Sequence, residues 1–289
     1  MTKRRPARAA VTGELAEERR PGNPLGGWRN VLPLVNTAWR HLLFLNYEVP
    51  AEILRPRLPS GTELDLQDGR ALVRVVGFRF LGTRLMKLPV PWHRDFDEVN
   101  LRFYARRRVE GAWRTGVVFV RELVPTPLFA WLARHVVHEH YLTLPMRHAP
   151  EVDQPPKHAP AQVRYEWQHA KRWQGMAGTP VGEARRPEDG SEEAFLTVRH
   201  WAWTARRSGS TLEHEVIHPR WKVWRIADAR LDTDVATLFG PEFAEALSGP
   251  PTSALLADGS KVAVSPSAWL TGAAREPVRQ GARRRPVPG

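Results

Sequence analysis

Between Phe96 and Glu122, polar and apolar residues alternate along two runs separated by Glu110-Gly111. In the first run Glu98, Asn100, Arg102 and Tyr104 interleave with Val99, Leu101, Phe103 and Ala105. Strand side chains point to opposite faces with period two, so the pattern predicts two strands around a turn. One face of the first strand is apolar, and the other carries an acid, an amide, a guanidinium and a phenol in one row. If that face lines a cavity, the row is a site. Otherwise it is a buried ion-pair network or a solvated strand face.

The same reading extends along the chain. Trp39 to Val49 predicts a strand, and Pro50 opens a short helix from its first turn, ending near Leu58-Pro59-Ser60-Gly61. Glu63 to Leu66 and Ala71 to Phe80 predict a hairpin around Asp68-Gly69, with Leu72, Arg74, Val76 and Phe78 on one face. Residues 83–95, with Pro89 and Pro91, predict a loop. Leu128 to Glu139 has helical spacing, and Leu128, Trp131, Leu132 and His135 share a face.

Residues 150–160 are a proline-rich loop, Val163 to His169 a strand, and Glu183 to Glu193 a charged loop. Phe195 to Arg206 predicts a helix start or turn leading into a strand. Glu213 to Ile226 predicts one or two strands, with Pro219 at an edge or bulge. A short helix within Leu231 to Leu247 and a last strand at Lys261 to Val264 complete the pattern. Many strands in hairpins with few helices predict an α+β protein, its large antiparallel sheet closed as a β-barrel with peripheral helices.

Charge changes the picture little. The net charge of +12 over 289 residues suggests nucleic acid, but residues 1–30 hold seven basic groups against three acids, and residues 270–289 five against one. The ends therefore carry most of the excess. Residues 1–27 and 267–289 are expected to be disordered basic tails around a single domain at 28–266. Non-specific phosphate contact is the only nucleic-acid role such tails suggest. No run of 18 apolar residues exists, so no membrane span is expected, and the protein is expected in the cytoplasm.

Candidate chemistry is sparse. The chain has no cysteine, which excludes thiolate catalysis and disulfides. It carries no P-loop, no dinucleotide-binding glycine pattern, no G-x-S-x-G elbow and no haem motif, and no cofactor is expected. His135, His138 and His140 lie close in sequence but lack an H-E-x-x-H pattern, so no metal site is expected. Lys222 sits among apolar strand residues, either facing inward as a nucleophile or snorkelling over apolar surface. Trp201, Trp203, Trp221 and Trp224 read as core or cavity wall.

W-x-x-L-L-F-x-x-Y-x-V-P-x-E-x-L-x-x-x-L-P-x-G from Trp39 and F-x-E-V-N-L-R-x-Y from Phe96 are followed by L-P-M-R-H-A at Leu144 to Ala149. E-x-F-L-x-x-R at Glu193 to Arg199 and H-P-R-W-K-V at His218 to Val223 come next. In this order and spacing the chain resembles the bacterial YqjF-like family of unknown function, distantly related to acetoacetate decarboxylase. The resemblance implies a cone-shaped β-barrel with an internal cavity. The decarboxylase carries Arg-Glu-Leu and, after three residues, Pro-Lys-Lys, whose first lysine forms a Schiff base. Here Arg121-Glu122-Leu123 and Pro127 match, but Leu128-Phe129 replace the lysines, so imine chemistry at that position is lost.

The resemblance makes Arg121 and Glu122 candidates for a polar pocket wall; as strand neighbours, at most one of them faces a given cavity. The expected ligand-binding set is thus Glu98, Asn100, Arg102, Tyr104, Arg121 and Glu122. The expected function is binding of a small, anionic molecule such as a carboxylate or keto acid. The alternative is a lyase or hydratase using Glu98 or Glu122 as a general base.

Overall fold

The computed structural model describes residues 33–89, 94–126, 141–150, 161–206 and 208–270. Strand β1 is Val35–Glu48, longer at its start than the alternation predicts. Helix α1, Ala51–Leu54, runs into a 3-10 turn at Arg55–Arg57. Strands β2 (Glu63–Leu64), β3 (Leu72–Leu85) and β4 (Leu88–Pro89) follow. The expected hairpin around Asp68-Gly69 is corrected. Only Gln67 and Arg70 bridge across that turn, while β2 pairs with Arg106 and Ala105 further along. The expected loop at 83–95 is shorter, because β3 runs on to Leu85 and turns back through β4.

The predicted strand pair is β5, Phe96–Val109, and β6, Ala112–Val124. Their turn has positive φ at both Glu110 and Gly111. The short strands β7 (Tyr141–Thr143) and β8 (Met146–Ala149) lead to β9, Val163–His169, and β10, Arg172–Arg185. Helix α2, Glu192–Thr197, is capped by the Ser191 side chain, which accepts from the Ala194 N–H at 3.2 Å. Then come β11 (Trp201–Ala205), β12 (Thr211–Ile217) and β13 (Val223–Asp232). Helix α3 (Val235–Leu238), β14 (Ser253–Val264) and β15 (Ala268–Trp269) end the described chain. The predicted helix at 128–139, with its histidines, lies outside the described residues, as do residues 1–32 and 271–289.

The strands form one sheet in the order β15-β12-β11-β6-β5-β3-β1-β14-β13-β10-β9-β8. β12 also pairs β14 through Val216↔Val264 and Ile217↔Ala263. The pairing path β1-β3-β5-β6-β11-β12-β14 therefore returns on itself. Most pairs are antiparallel, but β6 pairs β11 and β7 in parallel. The crossover from β6 to β11 is needed because the two strands run the same way.

Both faces of this sheet are buried, so the period-two pattern sorts two cores rather than core from water. Leu43, Val75, Leu101 and Phe103 pack on one face with Tyr165, Trp167 and Trp224, Trp167 and Trp224 lying on the strands beyond the circuit. Leu42, Phe44, Val76, Phe78, Val117, Ala202 and Leu255 pack on the other, the inner face of the circuit. β1 bends at a bulge between Arg40 and Leu43, where His41 sits at φ 48°. Among the described residues no helix is long and apolar enough to cross a membrane.

Candidate functional site

The polar row of β5 faces inward. Glu98, Asn100, Arg102 and Tyr104 are all buried on the face shared with Val76 and Phe44, while Val99, Leu101 and Phe103 point to the other core. Register aligns this row with partners on the neighbouring strands. One transverse line runs Ser253, Asn46, Arg74, Arg102 and Phe119 across β14, β1, β3, β5 and β6. The next runs Leu255, Phe44, Val76, Asn100 and Glu122. Glu122 thus joins Asn100 on the inner face. Arg121 does not, because the bulge in the β5–β6 pairing sets it opposite Leu101, on the outer face.

Arg74, absent from the expected set, is the central residue. It is 0 % exposed, and Nε, Nη1 and Nη2 make no well-formed hydrogen bond among the described residues, although the Tyr104 hydroxyl lies close enough to help hold the charge. Its guanidinium carbon lies 4.6 Å from the Phe44 ring centre and 4.8 Å from that of Tyr104, so aromatic rings hold it. Burial pushes Arg74 well below the ordinary arginine value, and Arg102 and Arg199 push it further; Tyr104 favours the charge. Arginine keeps its proton in proteins, so the strain appears as a positive charge seeking an anion. A residue opposite a like charge across two strands is normally destabilising.

The other two arginines are compensated. Burial lowers Arg102 too, but Tyr104, Glu98 and Glu122 all favour its charge. Asn100 Nδ2 donates to Glu98 Oε1 at 2.9 Å. Burial likewise lowers Arg199, offset by Asp65, to whose Oδ2 its Nη1 donates at 2.5 Å. The Tyr104 hydroxyl makes no well-formed hydrogen bond among the described residues, though it lies close enough to Arg74 to favour that charge. Burial raises its pKa, and the three arginines lower it.

Beside Arg102 lies a cavity of about 30 Å³ bounded by Trp39, Phe119, Arg199, His218 and Trp221. That is room for about one water. His218 stacks on Trp221 with ring centres 4.1 Å apart. Burial, then His200, holds its pKa down at about 3, so it is neutral. A cleft of about 200 Å³ at α2 is lined by Glu192, Leu196, Arg225, Ser253 and Leu255. Leu196 borders both spaces.

Sequence reasoning placed Arg74 on the face of Leu72, Val76 and Phe78 but did not select it. One charge in an otherwise apolar strand face was the available signal. Asn46 and Arg199 gave weaker signals, because their inward positions depend on long-range register. Lys222 is exposed between buried Trp221 and Val223, which removes it as an inward nucleophile. Lys87, Lys171 and Lys261 are exposed as well, so no lysine among the described residues reaches the inner face. Nor is any group of three or more His, Asp or Glu among them placed to hold a metal ion.

The arrangement of strands is that of the acetoacetate decarboxylases. The enzyme from Legionella pneumophila superposes with a TM-score of 0.58 at 12% identity, covering 86% of this chain and 93% of that one. The enduracididine biosynthesis enzyme MppR complexed with pyruvate gives 0.58 at 12%, covering 86% and 95%. Within that fold class, the chain belongs to the DUF2071 family, "Uncharacterized conserved protein (COG2071)", whose model matches residues 36–261. A relative, the Uncharacterized protein YqjF of Bacillus subtilis (strain 168), is 26% identical over 206 residues, 71% of this chain and 80% of its own length.

Proposed function

We propose that the seven-strand circuit is a closed β-barrel that binds a small carboxylate, its negative end held by Arg74 and Arg102. The observation that carries this reading is the Arg74 guanidinium, fully buried, flanked by Phe44 and Tyr104, with no carboxylate partner among the described residues and no well-formed hydrogen bond from its N–H groups. A planar fork whose faces are covered by rings offers its edge to a planar oxyanion, the geometry of bidentate carboxylate recognition. The fold likeness to MppR, solved with pyruvate, supports an acid of that size.

A second reading adds turnover on the same site. Glu98 and Glu122 are buried on either side of Asn100, near where a bound acid would lie, and either suits a general base for a lyase or hydratase. Calorimetric titration with acetate, pyruvate and acetoacetate tests the binding step. Arg102→Ala is expected to weaken the tightest of these acids at least tenfold while the protein stays folded by circular dichroism. Unchanged affinity would remove Arg102 from the account. Appearance of product with the wild type, lost in Glu98→Gln or Glu122→Gln, would favour the enzymatic reading.

A further inference from the structure

The inner face carries orphaned acceptors as well as orphaned donors, and the two together specify more than a negative charge. Asn46 lies directly opposite Arg74. Its Nδ2 donates to the Ser253 carbonyl at 3.2 Å and to Ser253 Oγ at 3.1 Å. Ser253 Oγ in turn spends its one proton on Glu192 Oε1 at 2.6 Å. A carbonyl only accepts, so this chain fixes the orientation of the Asn46 amide. Asn46 Oδ1 is left buried with no hydrogen-bond partner among the described residues. Asn100 repeats the pattern one row away. Its Nδ2 is committed to Glu98, and its Oδ1 is buried without a partner.

Buried polar atoms are nearly always paired, and each one left bare costs on the order of 1–3 kcal/mol. Here, among the described residues, the donors without a well-formed bond belong to Arg74, to Arg102 at Nε and to Tyr104, which lies near Arg74, and the bare acceptors are the side-chain oxygens of Asn46 and Asn100, on three adjacent strands. A plain or keto carboxylate supplies acceptors only. It would satisfy Arg74 and leave both asparagine oxygens bare. An amino acid supplies donors, but its ammonium would sit among three arginines. A hydroxyl donates without adding positive charge.

Resting on the carboxylate reading above, we infer that the ligand is a small hydroxycarboxylate, its carboxylate on Arg74 and its hydroxyl groups on Asn46 and Asn100. The two asparagines lie in successive rows on the strands either side of β3, and an acid with two hydroxyls offers a donor to each. A cleft of about 200 Å³, large enough for a three-carbon acid, lies at Ser253 and Glu192, the residues that fix the Asn46 amide.

Three acids of one carbon skeleton, with pyruvate as the keto control, test the inference. Glycerate, lactate, propionate and pyruvate are titrated into the full-length protein by calorimetry. The expected order is glycerate, then lactate, then propionate and pyruvate, with at least a tenfold step in Kd for each hydroxyl. Propionate or pyruvate binding as tightly as glycerate would overturn the inference while leaving the carboxylate reading intact. No binding by any of the four would overturn both. Asn100→Leu is expected to cost glycerate about tenfold more affinity than it costs propionate. An equal loss for both acids would mean that Asn100 only supports the fold, and would remove it from the hydroxyl site. Asn46→Leu gives a second, independent reading of the same ratio.

Discussion

At the residue scale the inner face works by leaving a few groups unmatched. The row Glu98, Asn100, Arg102 and Tyr104 was legible because four polar residues alternate with four apolar ones. Arg74 was harder, since its strand reads as an ordinary apolar arm and its meaning depends on lying opposite Arg102. Two buried histidines give a separate handle. His41, held at about 4 by burial and then by Arg40 and His148, and His218, held at about 3, stay neutral in the fold. In the unfolded chain both titrate near 6.5, so between pH 6.5 and these values the unfolded state binds more protons. Their contribution is complete above pH 6.5 and is lost as pH falls through that window. Chemical denaturation from pH 7 to pH 4 is expected to show falling stability. His218→Gln should reduce the slope by about 1.4 kcal/mol per pH unit, one proton's worth. An unchanged slope would show that His218 does not titrate on unfolding.

The lysines make a further prediction at this scale. With Leu128-Phe129 in place of the decarboxylase pair and every described lysine exposed, imine formation is not expected. Incubation with acetoacetate or pyruvate followed by borohydride should leave the intact mass unchanged. A stoichiometric reduced adduct would contradict that reading.

At the element scale, what the pattern revealed depended on how each strand is buried. β5 alternates cleanly and turns at Glu110-Gly111 into β6, and both were readable despite the bulge in β6. β10 was not, because Gly175, Gly178, Pro180 and Gly182 interrupt its alternation. Glycine there answers to crowding that only the fold creates; a Cβ on Gly178 would meet Ile226 Cγ2 at 2.3 Å. The failed hairpin at Asp68-Gly69 has a similar cause, since a good turn dipeptide sets local geometry and not the partner of the following strand. The parallel β6–β11 pair is equally non-local, and Gly116 allows it. A Cβ at Gly116 would lie 2.1 Å from the Trp201 carbonyl oxygen, a backbone atom with little freedom to move. Gly116→Ala is expected to cost about 2–3 kcal/mol and lower the thermal midpoint by roughly 4–10 °C. A midpoint within a degree of wild type would show that β11 shifts freely.

At the scale of the whole molecule, one sheet separates two cores, and this explains why both faces of β1, β3 and β5 are buried. The outer core, with β9 carrying Tyr165 and Trp167 and with α3, holds no comparable cluster of arginines among the described residues. The inner core concentrates Arg74, Arg102 and Arg199 together with the bare asparagine oxygens, so buried charge and unmatched amides meet there. A buried charge without an acceptor costs several kcal/mol, while two cation–π contacts return about 2 kcal/mol each at most. Such a residue is retained at the expense of stability, as binding groups commonly are.

The most direct test replaces Arg74 by methionine and follows thermal unfolding with and without lactate or glycerate. The account predicts that Arg74→Met without ligand is more stable than wild type by about 1–3 kcal/mol, roughly 2–10 °C, and gains nothing from either acid. An Arg74→Met protein that melts lower than wild type and is still stabilised by the acids would contradict it.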